Sequence, residues 1–139
     1  MFDCTSANSN IWITKELKNL IKNKCYINLT PSTFGKYVVP YFNQQTIPNE
    51  VNLITCGGQT SIPIISLFNK ILGVNLVYSE LVSSISSTIT CVATRNNIHE
   101  SLLITETAIQ QIANLKTQKV IIHLNPVSYN TLSTYSPVS

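Results

Sequence analysis

Val51-Asn52-Leu53-Ile54-Thr55-Cys56-Gly57-Gly58-Gln59 is the stretch on which the fold turns. Val51–Ile54 is a short apolar run of the kind that fills a buried strand, and residues 51–55 are read as that strand. Beyond the glycines, Ile62, Ile65, Phe68 and Leu72 recur at helical spacing, which predicts a helix over Gln59–Leu72. Pro63 then falls in about the first turn of that helix, where a missing N–H costs little. A cysteine thus sits at a strand-to-helix turn. A helix N-terminus offers free N–H groups and a partial positive charge, and both favour a thiolate. Two glycines behind it let a substrate approach the backbone closely. Cys56 is the candidate nucleophile; the alternative is a small hydrophobe at the start of an apolar helix.

Upstream of this turn, Met1–Cys4 reads as the end of a strand that runs into Thr5-Ser6-Ala7-Asn8. Leu17, Leu20 and Ile21 predict a helix over Ile13–Asn23, with Thr14 as its N-cap and Lys15, Lys18, Lys22 and Lys24 on its solvated face. Cys25–Leu29 is a short buried-type strand stopped by Thr30-Pro31, and Ser32–Pro48 reads as loop. Downstream, Val74–Ser87 is a long strand with one polar face, and Ile89–Asn97 is a loop. Ile98, Leu102, Thr105, Ile109, Ile112 and Leu115 predict a helix over Ile98–Leu115. Lys119–Leu124 is a last strand, ended by Asn125-Pro126, and Val127–Ser139 is Ser/Thr/Tyr/Pro-rich and read as unstructured. The order is β-α-β followed by β-α-β-α-β, an α/β or α+β pattern.

Composition narrows the function. The 139 residues suffice for one domain of ordinary size, and 44% hydrophobic against 11% charged residues favours a core over disorder. The net charge of +3 is modest and scattered, so no nucleic-acid partner is expected. No apolar segment approaches a membrane span, and the start of the chain has neither a basic nor an apolar leader segment. The expected setting is the cytoplasm, with reduced thiols. Cys4, Cys25, Cys56 and Cys91 lie far apart, and His99 and His123 do not complete a zinc pattern, so no metal is expected. Cys4, Cys25 and Cys91 are read as buried small residues. Gly35, Gly57, Gly58 and Gly73 cannot build G-x-G-x-x-G, and Asp3 is the lone aspartate, so no paired-carboxylate site exists.

Several ordered segments resemble one family. Phe2-Asp3-Cys4-Thr5-Ser6-Ala7 resembles F-D-A-T-S-A. Leu29-Thr30-Pro31 with Gly35, Tyr37, Val39 and Pro40 resembles L-T-P-A-A-I-G-P-Y-C-V-P. Val51–Gln59 with Ile62-Pro63 resembles V-N-M-V-T-C-G-G-Q-A-T-I-P. Tyr78, Glu80, Val82 and Ser84–Ser87 resemble Y-A-E-I-V-A-S-I-S-S; Thr94-Arg95, Asn97-Ile98 and Glu100 resemble G-T-R-A-N-I-D-E-F. These are segments of the acetylating, CoA-dependent acetaldehyde dehydrogenases, partners of 4-hydroxy-2-oxovalerate aldolases in the catabolism of aromatic compounds.

The resemblance implies the end of a Rossmann-like NAD-binding domain (residues 1–55) joined to the start of an α+β catalytic and dimerisation domain (56–126), then a divergent, disordered tail (127–139). It implies that Cys56 is the nucleophile that carries an acyl thioester between acetaldehyde, NAD and coenzyme A. It places NAD against Ile89, Thr90, Cys91, Val92, Ala93, Thr94, Arg95, Asn96 and Asn97, and the aldehyde tunnel at Asn97 and Ile98. Arg95 pairs with a cofactor phosphate or, equally, forms a salt bridge near a helix start. The implied partners are the aldolase and a second copy. Departures accompany the match: the family's Gly-Pro-Gly is Cys91-Val92-Ala93, the aspartate after Asn-Ile is His99, and a short insertion lies around Leu72–Leu76. The family's glycine-rich phosphate loop would lie before Met1, and the rest of its catalytic sheet would follow Pro126, so the chain reads as an internal fragment truncated at both ends and of marginal stability. Two functions stay open. One is an NAD-dependent acylating dehydrogenase fragment, inactive alone. The other is a non-catalytic remnant that at most binds a dehydrogenase or aldolase subunit.

Overall fold

The apolar runs at the start of the chain become parallel strands, each too short to do more than hold the loop that follows it. The computed structural model describes residues 1–22, 24–40, 42, 47–73, 76–88, 90, 92–126 and 133–135. β1 (Phe2–Asp3), β2 (Tyr26–Asn28), β3 (Lys36–Tyr37) and β4 (Glu50–Asn52) form a wholly parallel sheet in the order β1-β2-β4-β3. Its register sets Asp3 opposite Asn28, Asn28 opposite Asn52, and Tyr37 opposite Asn52. One polar row therefore crosses the carboxyl ends of the strands, where open α/β sheets place their ligands.

Each member of that row is buried and bonded. Asp3 Oδ1 accepts from the Thr5 N–H (2.9 Å) and hydroxyl (2.6 Å), while Oδ2 accepts from Asn10 Nδ2 (2.7 Å) and the Tyr26 hydroxyl. Burial raises the pKa of the Asp3 carboxyl, but the hydrogen bonds from Thr5, Tyr26 and Asn10 outweigh it and hold the group below the ordinary carboxylate range. Burial, and then the Asp3 carboxylate, push the Tyr26 phenol up. Asn28 Nδ2 donates to Ser32 Oγ at 2.7 Å, and its Oδ1 accepts from the Thr30 N–H at 2.9 Å. Asn52 Nδ2 donates to the Ser32 carbonyl at 2.6 Å, and its Oδ1 accepts from the Ile54 N–H at 2.7 Å.

The second sheet, β6-β5-β7, joins β5 (Tyr78–Ser86) to β6 (Thr117–Asn125) in parallel and to β7 (Ser133–Tyr135) antiparallel. Two helices pack between the strands: α3 (Cys56–Ser66), which continues as a π-helical turn over Leu67–Ile71, and α5 (Ile98–Ala113). The core gathers Ile62 and Ile65 of α3, Leu81 of β5, Ile104 and Ile109 of α5, and Tyr37, Val39 and Ile54 from the first half of the chain. Asn114 ends α5 in the left-handed conformation (φ 57°), and Asn69 Nδ2 donates to the Ala113 carbonyl at 2.6 Å.

The mixed α/β pattern with parallel strands holds, and several boundaries move. The first helix is α1 (Ala7–Glu16), capped by Ser6, whose hydroxyl accepts from the Ser9 N–H at 3.2 Å; Thr14 lies inside it and donates to the Asn10 carbonyl at 2.8 Å. A separate turn, α2 (Lys18–Ile21), follows. Of the expected apolar stripe, Leu20 is exposed and Leu17 half-buried, and Ile11 and Trp12 of α1 are exposed as well. The Ser32–Pro48 loop contains β3. The helix after the glycine turn starts at Cys56 rather than Gln59, which puts Pro63 two turns in, not in the first turn. The Ile89–Asn97 loop holds a helical turn, α4 (Val92–Asn96). The tail after residue 126 contributes β7, while 127–132 and 136–139 lie outside the described residues. Cys4 and Cys25 are exposed free thiols rather than buried, and Cys91 lies outside the described residues. Among the described residues no helix is long and apolar enough to cross a membrane, and no His/Cys/Asp/Glu group is built to hold a metal.

Candidate active site

The turn that carries Cys56 is held in an unusual backbone. Ile54 has φ 64°, a conformation that a β-branched residue adopts only under constraint. The constraint is visible: Asn52 accepts from its N–H, and its side chain is buried in the core. Gly58 is required by this arrangement, since a Cβ there would meet Ile54 Cγ2 at 2.9 Å. Gln59 locks the turn from the other side, donating from Nε2 to the carbonyls of Val38 and Leu53 at 2.7 Å each.

Thr55 is the N-cap of α3 and accepts from the Gly58 N–H at 3.1 Å, while the Gln59 N–H bonds to the Thr55 carbonyl at 2.9 Å. Among the described residues nothing accepts from the Cys56 and Gly57 N–H groups. Cys56 is thus the first helical residue, exposed, with two free N–H donors at the positive end of the helix.

Cys56 opens on one side into a cavity of about 120 Å³. Leu81 and Ile85 of β5 and Val120 and Ile122 of β6 form its apolar wall, and α5 closes it with Ile98, Ser101 and Thr105. A water occupies about 30 Å³ in the liquid, so this space suits a group of a few non-hydrogen atoms. The hydroxyls around it are ordered. Thr105 donates to the Ser101 carbonyl at 2.7 Å, so the 2.7 Å contact between Thr55 and Thr105 has Thr55 as donor. Ser101 donates to the Asn97 carbonyl at 2.7 Å.

On the outer side of Cys56 a shallower opening of about 210 Å³ lies against Leu29, Pro31, Ile54 and Asn97. Asn97 joins the two halves of the chain, its Oδ1 accepting from the Ala7 N–H at 3.2 Å.

The structure brings Cys56, Asn97 and Ile98 together around these two spaces. The other expected cofactor contacts are not gathered there. Thr90 is buried with its hydroxyl on the Ser86 carbonyl at 2.7 Å. Arg95 donates to the carbonyls of Ser87 (3.1 Å) and Thr90 (3.3 Å), which braces its own loop. Val92 and Asn96 are exposed, Ala93 and Thr94 contribute backbone to α4, and Ile89 and Cys91 lie outside the described residues. Asn52, Thr105 and Ser83 were given no site role from the sequence. For Asn52 a signal existed, since Asn28 and Asn52 each interrupt an apolar run with a polar side chain.

A strained strand-to-helix turn and an exposed helix-start cysteine, set beside a small apolar cavity lined by β5, β6 and α5, define an α/β protein. The chain belongs to the prokaryotic acetaldehyde dehydrogenase family: residues 56–135 match the family model described as "Prokaryotic acetaldehyde dehydrogenase, dimerisation". That match runs past Pro126, where the resemblance was expected to end. The chain is 39% identical to the acetaldehyde dehydrogenase of Geobacillus genomosp. 3 over 128 residues, which cover 91% of this chain and 41% of that protein. It is 42% identical to the acetaldehyde dehydrogenase of Brevibacillus brevis over 128 residues (91% and 42%). It is 38% identical to the Thermus thermophilus acetaldehyde dehydrogenase over 136 residues (96% and 43%). The chain spans about two fifths of the length of these relatives.

Proposed function

We propose that this chain carries the nucleophile and acyl cavity of an NAD-dependent, CoA-acylating aldehyde dehydrogenase acting on short aldehydes. The observation that carries the reading is Cys56 as first residue of α3, beside two free N–H donors and above a cavity of about 120 Å³. The Cys56 thiolate adds to the aldehyde carbonyl, and the substrate's short alkyl group enters the space between Leu81, Ile85, Val120 and Ile122. NAD, when bound, supplies the acceptor for the hydride that leaves the adduct carbon. The outer opening of about 210 Å³ against Leu29, Pro31 and Asn97 is the space assigned to its nicotinamide ring. No glycine-rich turn for a pyrophosphate lies among the described residues, so Leu29, Pro31 and Asn97 are assigned to the ring alone. The acyl thioester left on Cys56 then passes its acyl group to the thiol of coenzyme A.

The half-reaction with coenzyme A needs no NAD and tests the reading by itself. Acetyl-CoA is mixed with the chain and the release of free CoA thiol is followed. The expected result is one equivalent of CoA per chain, abolished by Cys56→Ala. Equal release from the variant would overturn the reading.

The matched family model describes a dimerisation segment, which supports a second copy as partner. Sedimentation at micromolar concentration should give twice the monomer mass; a monomer would contradict this. An aldolase partner is proposed on the resemblance alone, and co-purification with a 4-hydroxy-2-oxovalerate aldolase tests it.

A further inference from the structure

The hydroxyls of the acyl cavity are not equivalent. Thr55, Ser101 and Thr105 each spend their single proton within the protein, on Thr105, the Asn97 carbonyl and the Ser101 carbonyl respectively. Ser83 lines the same cavity and is 6% exposed, yet its hydroxyl has no hydrogen-bond partner among the described residues. Ser83 Oγ is not among the fully buried unpaired atoms, so it opens onto the cavity with its proton uncommitted. It is also close to the nucleophile's backbone. A Cβ on Gly57 would lie 3.2 Å from Ser83 Oγ, so that hydroxyl stands directly against the helix start.

We propose that Ser83 Oγ and the free N–H groups of Cys56 and Gly57 form an oxyanion-binding position, which holds the oxygen of a carbonyl under attack by Cys56. The inference rests on the reading of Cys56 as nucleophile. When the thiolate sulfur bonds to the carbonyl carbon, the π pair of the C=O bond moves onto oxygen. That oxygen gains a full charge in a site walled by Leu81 and Val120, where fixed donors act more strongly than in water. The nearness of Ser83 to Gly57, rather than to the far end of the cavity, assigns it to the reacting carbonyl and not to a distal polar group of the substrate.

Two electrophiles separate this role from general thiol reactivity. p-Nitrophenyl acetate acylates a thiolate through an adduct with a negative oxygen, which collapses to the acetyl thioester and p-nitrophenolate. Iodoacetamide alkylates by displacement of iodide at carbon and builds no such oxygen. Both rates are read at the Cys56 peptide by mass spectrometry, with Cys4 and Cys25 as exposed internal references. Ser83→Ala is expected to slow acylation of Cys56 on the order of 100-fold, the typical effect of one oxyanion donor, and to leave its alkylation within about twofold. Unchanged acylation, or acylation and alkylation falling together, would overturn the Ser83 assignment while leaving Cys56 as nucleophile. Wild-type acylation of Cys56 no faster than of Cys4 and Cys25 would overturn both.

Discussion

Gly58→Ala tests whether the turn that carries Cys56 is as tightly determined as its geometry states. The added Cβ would sit 2.9 Å from Ile54 Cγ2 and 3.2 Å from Thr55 Oγ1. Carbon atoms in good contact lie about 3.5–4.0 Å apart, so the first contact is deep in the repulsive range. Neither neighbour yields cheaply. Ile54 is buried at φ 64°, and Thr55 Oγ1 already receives the Gly58 N–H at 3.1 Å. Overpacking costs about 1–3 kcal/mol, and a displaced N-cap adds about 1 kcal/mol. Replacing glycine by alanine inside a helix returns about 1 kcal/mol. The net expectation is a loss of about 2 kcal/mol, or a fall in Tm of roughly 6–10 °C for a chain of this size. Thermal unfolding by circular dichroism measures it. In an Ile54→Ala background the clashing Cγ2 is gone, and Gly58→Ala should there cost less than about 1 kcal/mol. A variant as stable as the wild type, or an equal penalty in both backgrounds, would refute the reasoning.

Asn52→Ala removes the acceptor of the Ile54 N–H and the donor to the Ser32 carbonyl, both inside the protein, and should lower stability by about 2–4 kcal/mol in urea unfolding. Thr105→Val keeps the shape of the residue but breaks the hydroxyl chain from Gly58 through Thr55 to Ser101; a loss of about 1–2 kcal/mol in the same assay is expected. Asp3 is held below its ordinary pKa in the fold, so its contribution is complete above the unfolded value of about 3.9 and disappears as pH falls through the folded value. Asp3→Asn sets an amide N–H against donors from Asn10 and Tyr26, and should cost about 2 kcal/mol or more at pH 7. The difference between Asp3→Asn and wild type should then shrink in urea midpoints taken below the ordinary carboxylate range; a constant gap would contradict the assignment.

The sequence made the second half of the molecule legible because burial there follows simple periods. Ile109 and Ile112 of α5 and Ile62 and Ile65 of α3 are in the core where helical spacing places them. The first half obeys a different logic. α1 starts in Ala7-Asn8-Ser9-Asn10, with Asn10 fully buried on Asp3 and Tyr26, so its inward face is polar and no apolar stripe reveals it. The register that aligns Asp3, Asn28 and Asn52 is a long-range fact that local pattern does not carry. β7 is a short antiparallel strand of Ser-Thr-Tyr and shows no alternation to read. At the site, Cys56 stood out through its glycines and the helix that follows. Ser83 did not, because serines stand on both parities of β5, and the parity of Ser79, Leu81 and Ser83 is the one turned inward. Whether a strand serine faces solvent or a cavity is decided by what packs on it, here α3 and the nucleophile turn.

The central claim is that Cys56, and not another thiol, carries the acyl group. Incubation of the whole chain with acetyl-CoA, followed by peptide mapping under conditions that preserve thioesters, tests it most directly. The account predicts one acetyl group, on the Cys56 peptide, removed by hydroxylamine and absent from Cys4 and Cys25, which are also exposed but lack the helix start and the cavity. Acetyl groups spread evenly over the exposed cysteines, or none on Cys56, would contradict it.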